Sequence, residues 1–212
     1  MPKRVTLDSV ASSLSYGSSS KSSSAGKVPV LRMGNIQNGK LDWSGLVYTS
    51  DVGEIKKYGL IAGDVLFNRT NSPELVGKSA LYQGERDAVY AGYLIRVRCG
   101  EEALPAYVTY CLNSPAGRAY CWRVKTDGVS QSNINAKKLA AFSFMLPSLA
   151  EQQEIIRRIG LVFGWLDNVG AEVGRGSELL DRLDQAILVK AFNGELIALD
   201  VESTKQLKAA AE

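Results

Sequence analysis

Apolar positions in the last third of the chain fall on one heptad seam. Ile155, Ile159, Val162, Leu166, Val169, Val173, Gly176, Leu180, Leu183 and Ile187 follow one another at alternating steps of four and three. A 3.5-residue period keeps one stripe of a helix against a partner helix along its whole length. Ser148 and Glu151, just after Pro147, have the spacing of a capping box, and Asn193-Gly194 is a C-terminal stop signal. The pattern predicts a helix over 149–192, roughly 65 Å long at 1.5 Å per residue. Such a seam asks for a second helix. Ile156, Phe163 and Trp165 widen the apolar face near its start and predict docking of the helix on its own domain. Gly160, Gly164, Gly170, Gly174 and Gly176 each cost a helix up to about 1 kcal/mol against Ala. Four of them lie off the seam, where they leave smooth faces for close approach of another subunit.

Before residue 148 the pattern changes. Short runs rich in Val, Leu, Tyr and Phe, bounded by Gly, Asn or Asp, predict strands at 28–33, 64–68, 78–83, 88–98 and 141–146. Helices are predicted at 104–112, at 115–124 behind the cap Ser114-Pro115, and at 136–140 behind Asn135. The fold class is therefore α/β (α+β). A compact mixed-sheet domain over 1–147 precedes a long coiled-coil helix over 148–192 and a tail over 193–212. The Ser-rich stretch 17–26 reads as a flexible loop, or as one that orders on phosphates.

Composition narrows the class. Hydrophobic residues are 45% and charged residues 22% of 212, as in a globular protein. There is no run of 18 apolar residues and no apolar segment behind Met1-Pro2-Lys3-Arg4, so a soluble, cytoplasmic chain is expected. Cys99, Cys111 and Cys121 have no metal-like spacing and read as reduced, mostly buried thiols. Residues 1–147 hold 18 Lys and Arg against 11 Asp and Glu, a net +7; residues 148–192 and 193–212 are each −2, giving the whole-chain +3. A basic excess on the domain suits a polyanion, or is simply a solvated surface.

Candidate chemistry is sparse. With no histidine, His-based triads and HExxH metal sites are excluded. Gly77-Lys78-Ser79 looks like the end of a P-loop, but Ser72 stands where the first Gly belongs. Neither Ser72-Pro73 nor Ser114-Pro115 continues into the Pro-Tyr of an adenine-gripping box, and G-x-G-x-x-G is absent. No active site, cofactor or metal of its own is expected.

Four stretches together resemble a known family. Leu146-Pro147-Ser148-Leu149-Ala150-Glu151-Gln152-Gln153-Glu154-Ile155 resembles the start of the long helix of type I restriction–modification DNA specificity subunits. Gly63-Asp64-Val65-Leu66-Phe67-Asn68-Arg69 with Val76-Gly77-Lys78-Ser79-Ala80 is similar to that family's domain core. Lys190-Ala191-Phe192-Asn193-Gly194-Glu195-Leu196 is similar to its helix end, and Thr126 to Asn135 to the stretch before its last strand. The resemblance implies a non-catalytic target recognition domain followed by a helix. It would bind one half of a bipartite double-stranded DNA sequence. It would also recruit methyltransferase subunits, which flip and methylate adenine with S-adenosylmethionine, and restriction subunits. Common members carry two such units whose helices pair antiparallel. This chain has one, so it is a half-length subunit or half of a longer chain, pairing with itself or with a second half. The alternative is an interaction scaffold whose coiled coil is its main function.

Under this resemblance the DNA-binding candidates are Arg32, Lys40, Arg69, Asn71, Lys78, Lys125, Gln131, Ser132, Asn133 and Lys137. Arginine can hold guanine or phosphate in two-pronged fashion, and Asn and Gln can pair with adenine. Arg69 could instead form an ion pair, and the polar run around Asn135 could be turns and caps. Asn35, Gln37, Asn38 and Lys40 read first as a hairpin turn. The dimerisation candidates are the nine apolar seam positions: Ile155, Ile159, Val162, Leu166, Val169, Val173, Leu180, Leu183 and Ile187.

Overall fold

The computed structural model describes residues 2–196. The chain divides into two compact units between Arg158 and Ile159. The first opens with β1 (Lys3–Thr6), a single helical turn α1 (Leu7–Val10) and β2 (Ala11–Tyr16). Next come β3 (Val28–Leu31), the hairpin β4 (Ile36–Gln37) and β5 (Lys40–Leu41), then β6 (Val47–Thr49) and α2 (Val52–Tyr58). β7 (Val65–Asn68), β8 (Thr70–Asn71), β9 (Ser79–Leu81), β10 (Val89–Tyr90) and β11 (Leu94–Cys99) follow. After α3 (Pro105–Asn113) and α4 (Pro115–Val124) come β12 (Thr126–Asp127), β13 (Ser132–Asn133), α5 (Ala136–Ala140) and β14 (Ser143–Leu146). The last element is α6 (Leu149–Phe192), 44 residues long.

The central sheet has the order β2-β11-β7-β9, all neighbours antiparallel. Its side chains alternate between two cores, as a pleated strand requires. Val65, Phe67, Ile95 and Val97 pack with Val108 and Leu112 of α3 and with Leu139, Phe142 and Phe144. Leu66, Ala80 and Leu94 pack with Leu31, Ile36 and Tyr90 on the other face. Burial on both faces explains why Val65-Leu66-Phe67 is unbroken by polar residues. Smaller sheets surround it: β10-β3-β6, β12-β13-β8, β4-β5 and β1-β14. This is the mixed, irregular arrangement the sequence predicts.

Three elements differ from expectation. The strand predicted over 88–98 is two strands in two sheets. Val89–Tyr90 pairs with β3 and Leu94–Cys99 with β2 and β7, the chain crossing over at Ala91-Gly92-Tyr93. The Ser-rich stretch is tied at points along its length: Ser18 N–H donates to Tyr90 O at 2.9 Å, and Ser23 exchanges backbone bonds with Tyr48 at 2.9 and 2.8 Å. Phe163 and Trp165 remain 49% and 63% exposed. The start of α6 is held by Ile156, as its apolar face predicts, by Ile155, which packs on the core of its own domain rather than standing free for a partner helix, and by Gln152, which is fully buried. Gln152 Oε1 accepts from Leu104 N–H at 2.8 Å, and its Nε2 donates to Glu102 O and Pro147 O, both at 2.9 Å.

Both ends of α6 carry the predicted caps. Ser148 Oγ and N–H donate to Glu151 Oε2 at 2.8 and 2.9 Å. At the far end Gly194 has φ 74°, and Glu195 N–H closes on Lys190 O at 2.8 Å. Between them Val162, Leu166, Val169, Val173, Leu180, Leu183 and Ile187 are 39% to 67% exposed. The five α6 glycines have nothing within 4 Å of where a Cβ would stand.

Candidate nucleic-acid interface

The hairpin β4–β5 is a two-residue turn with Gln37 opposite Lys40. Asn38 and Gly39 have φ 51° and 76°, the left-handed values a type I′ turn demands at both central positions. Asn-Gly is the pair that accepts them most readily. Ile36 anchors the ribbon in the core while Gln37 and Lys40 are exposed. Asn35, buried at 4% exposure, ties its base: Oδ1 accepts from Arg32 N–H at 2.9 Å, and Nδ2 donates to Asp42 O at 2.9 Å and Ser44 O at 3.1 Å.

Beside this hairpin lies a cleft of about 660 Å³, lined among others by Arg32, Gln37, Asp42, Asn71, Lys78 and Tyr93. Arg32 donates to Gly45 O at 3.2 Å and Lys78 Nζ to Gln37 Oε1 at 3.4 Å. Asp42 is a carboxylate in the same wall. Its charged form is favoured by hydrogen bonds from the Ser44 N–H and hydroxyl, which hold its pKa below the usual value. Arg32, Asn71 and Lys78, far apart in sequence, are thus brought to one place. Gln37 and Tyr93 join them and are absent from the candidates chosen by residue type. The Asn-Gly turn with alternating Ile36 in and Gln37 out is the sequence signal that locates Gln37; Tyr93 has no comparable signal.

The other candidates do not line this cleft. Arg69 is built into the fold. Its guanidinium lies 4.7 Å from the Tyr16 ring centroid and donates to Gly92 O at 3.3 Å and Asn133 Oδ1 at 3.2 Å. Those partners are an aromatic face and two oxygens, not the carboxylate an ion pair would use. Asn133 Nδ2 donates onward to Thr70 Oγ1 at 2.7 Å. Ser132 is fully buried and bonded to Asp127. Lys125 lies 4.3 Å from the Trp122 ring centroid and bonds Asp127 at 2.5 and 2.6 Å, with 7% of its side chain exposed. Gln131 is exposed in the turn between β12 and β13. Lys137 lines a more open depression with Thr6, Asp8, Ala11 and Leu14.

Gly77-Lys78-Ser79 does not form a P-loop, because it leads into β9 rather than into a helix N-terminus. Gly77 has φ 89°, and a Cβ there would stand 2.6 Å from Cys121 Sγ, so packing against α4 accounts for this glycine. Burial pushes the Cys99 and Cys111 thiols up to about 11, which keeps them protonated and unreactive. Among the described residues no cluster of His, Cys, Asp and Glu could hold a metal ion, and no helix is long and apolar enough to cross a membrane.

A family model described as the type I restriction modification DNA specificity domain matches residues 4–161. The chain belongs to this family. It is 31% identical over 201 residues to the type I restriction enzyme EcoKI specificity subunit of Escherichia coli K12, covering 92% of this chain and 43% of that protein. It is 30% identical over 168 residues to the putative MjaX specificity subunit of Methanocaldococcus jannaschii, covering 77% and 39%. Solved structures share the specificity-subunit fold. A chain solved in work on assembly and conformational transition of the type I R-M system aligns with TM-score 0.71 at 20% identity, covering 92% of this chain and 46% of that one. The HsdS subunit from Thermoanaerobacter tengcongensis aligns at 0.63 and 20% identity, covering 92% and 45%. The chain spans less than half the length of each of these proteins.

Proposed function

We propose that this specificity-family chain is a DNA-recognition subunit, or one half of one, and performs no chemistry itself. Its domain binds one half of a bipartite duplex sequence. Its helix seam pairs with a second copy or a second half, and the assembly recruits methyltransferase and restriction subunits. The observation that carries this reading is the family match over residues 4–161. That match falls on the domain rather than on the far part of α6, which favours recognition over a scaffold role.

In physical terms, basic side chains such as Arg32 and Lys40 hold phosphates and set register, while polar groups of the cleft meet base edges. Methylome sequencing of cells that carry the chain with its methyltransferase partner tests the proposal. A single methylated motif should be present and should vanish when the chain is deleted. Methylation that persists unchanged without the chain would refute it.

A further inference from the structure

Gln37 is an amide aimed before any ligand arrives. Its Nε2 donates to Gly34 O at 2.9 Å, and its Oε1 accepts from Lys78 Nζ at 3.4 Å. One N–H and one Oε1 lone pair remain on an exposed residue at the edge of the cleft. The platform beneath is stiff. Ile36 is fully buried, Asn35 clamps the base of the ribbon through three bonds, and Asn38-Gly39 closes it as a type I′ turn.

We infer that the β4–β5 hairpin enters the major groove and that Gln37 reads an adenine there. This rests on the DNA-recognition reading above. The major groove is about 12 Å wide and admits a two-stranded ribbon. Adenine presents there one acceptor, N7, and one donor, N6–H, the complement of what Gln37 has left. Holding the amide in advance lowers the ordering cost of binding. Lysine only donates, so Lys78 also fixes which end of the amide is the oxygen. Asp42 adds a second argument. A carboxylate in the cleft wall repels phosphate and favours base edges, whose amino groups donate. The backbone contacts then fall to the exposed Arg32 in the same wall.

The test uses the full chain assembled with its methyltransferase subunits against a randomised duplex library, read by sequencing the bound DNA. The unaltered assembly should recover a motif containing adenine at the position in question. With Gln37→Ala, adenine preference at that one position should fall roughly 5- to 150-fold, the range for a lost two-pronged base contact, with the rest of the motif unchanged. Gln37→Glu should move that position towards cytosine, because a carboxylate accepts from cytosine N4. Gln37 is exposed, so both variants should melt like the parent. A Gln37→Ala motif identical to the parent's, or weakened equally at every position, overturns the inference. An unaltered assembly that shows no sequence preference fails differently: it removes the DNA-recognition reading and this inference with it.

Discussion

Arg69 keeps its charge inside the fold, stacked on Tyr16 and bonded to Gly92 and Asn133. Removing it leaves those oxygens without their donor, and a hydrogen bond from a charged group is worth about 1.5–3 kcal/mol. Arg69→Ala should therefore lower stability by about that amount in urea unfolding, and any loss of DNA binding should track the loss of fold. An Arg69→Ala protein as stable as the parent would make the stack ornamental. Asn35→Ala strips partners from Arg32 N–H, Asp42 O and Ser44 O at once. These groups are partly exposed, so it should cost about 0.5–1.5 kcal/mol for each bond lost, read in urea unfolding, and release the hairpin. At this scale the sequence was legible for type and not for place. Arg32 and Arg69 read alike as strings. Tyr16, fifty residues away in the chain, is what turns one of them into a structural strut.

Among elements, α6 was the most legible, because its signals are local: a seven-residue period and caps at fixed offsets. Its anchoring was not, since Gln152 bonds to residues about fifty positions away. β1 and β2 show the same limit. Lys-Arg-Val-Thr and Ala-Ser-Ser-Leu-Ser-Tyr have little strand signal, and only pairing with β14 and β11 makes them strands. Glu154 gives α6 a pH dependence. Hydrogen bonds from Arg157 first, then Arg158, hold its carboxyl down to about 2. A depressed pKa contributes stability above the ordinary value of 4.5, and this contribution is lost as pH falls from there towards 2. Circular dichroism should show a loss of helix across that window that Glu154→Gln lacks. On the seam, Leu166→Glu should leave the melting of the domain unchanged, because Leu166 is already 47% exposed in the single chain. If the seam pairs as proposed, it should abolish that pairing, read by sedimentation, since a carboxylate would be buried between helices.

For the whole molecule, the order of sheets was out of reach of pattern alone. The chain crosses between sheets at Ala91-Gly92-Tyr93, and Gly92 N–H donates to Ser18 O at 2.6 Å, a contact between two stretches that each read as loop or strand by themselves. The class of fold was legible because it needs only the alternation of short strands with capped helices. The proposed pairing has a consequence for the DNA target. Two copies joined by identical seams would be related by a two-fold axis and would read inverted copies of one half-site. Where this is the sole specificity chain, the methylated motif should be an interrupted palindrome. An asymmetric motif would mean that a second, different half completes the assembly.

If the seams pair as proposed, the glycines of α6 bear on how long an unpaired copy survives. Alanine would fit at all five positions in the single chain and would add up to about 1 kcal/mol each. That stability is left unused, so the far part of α6 should open more readily than the core that holds Gln152. Local opening is what proteases cut, and a partner covering the seam suppresses it by mass action. Copies made in excess of their partner should therefore turn over faster than paired ones, trimming the pool to the ratio the assembly needs. Pulse-chase with and without the partner should show two half-lives, and Ala at all five positions should merge them.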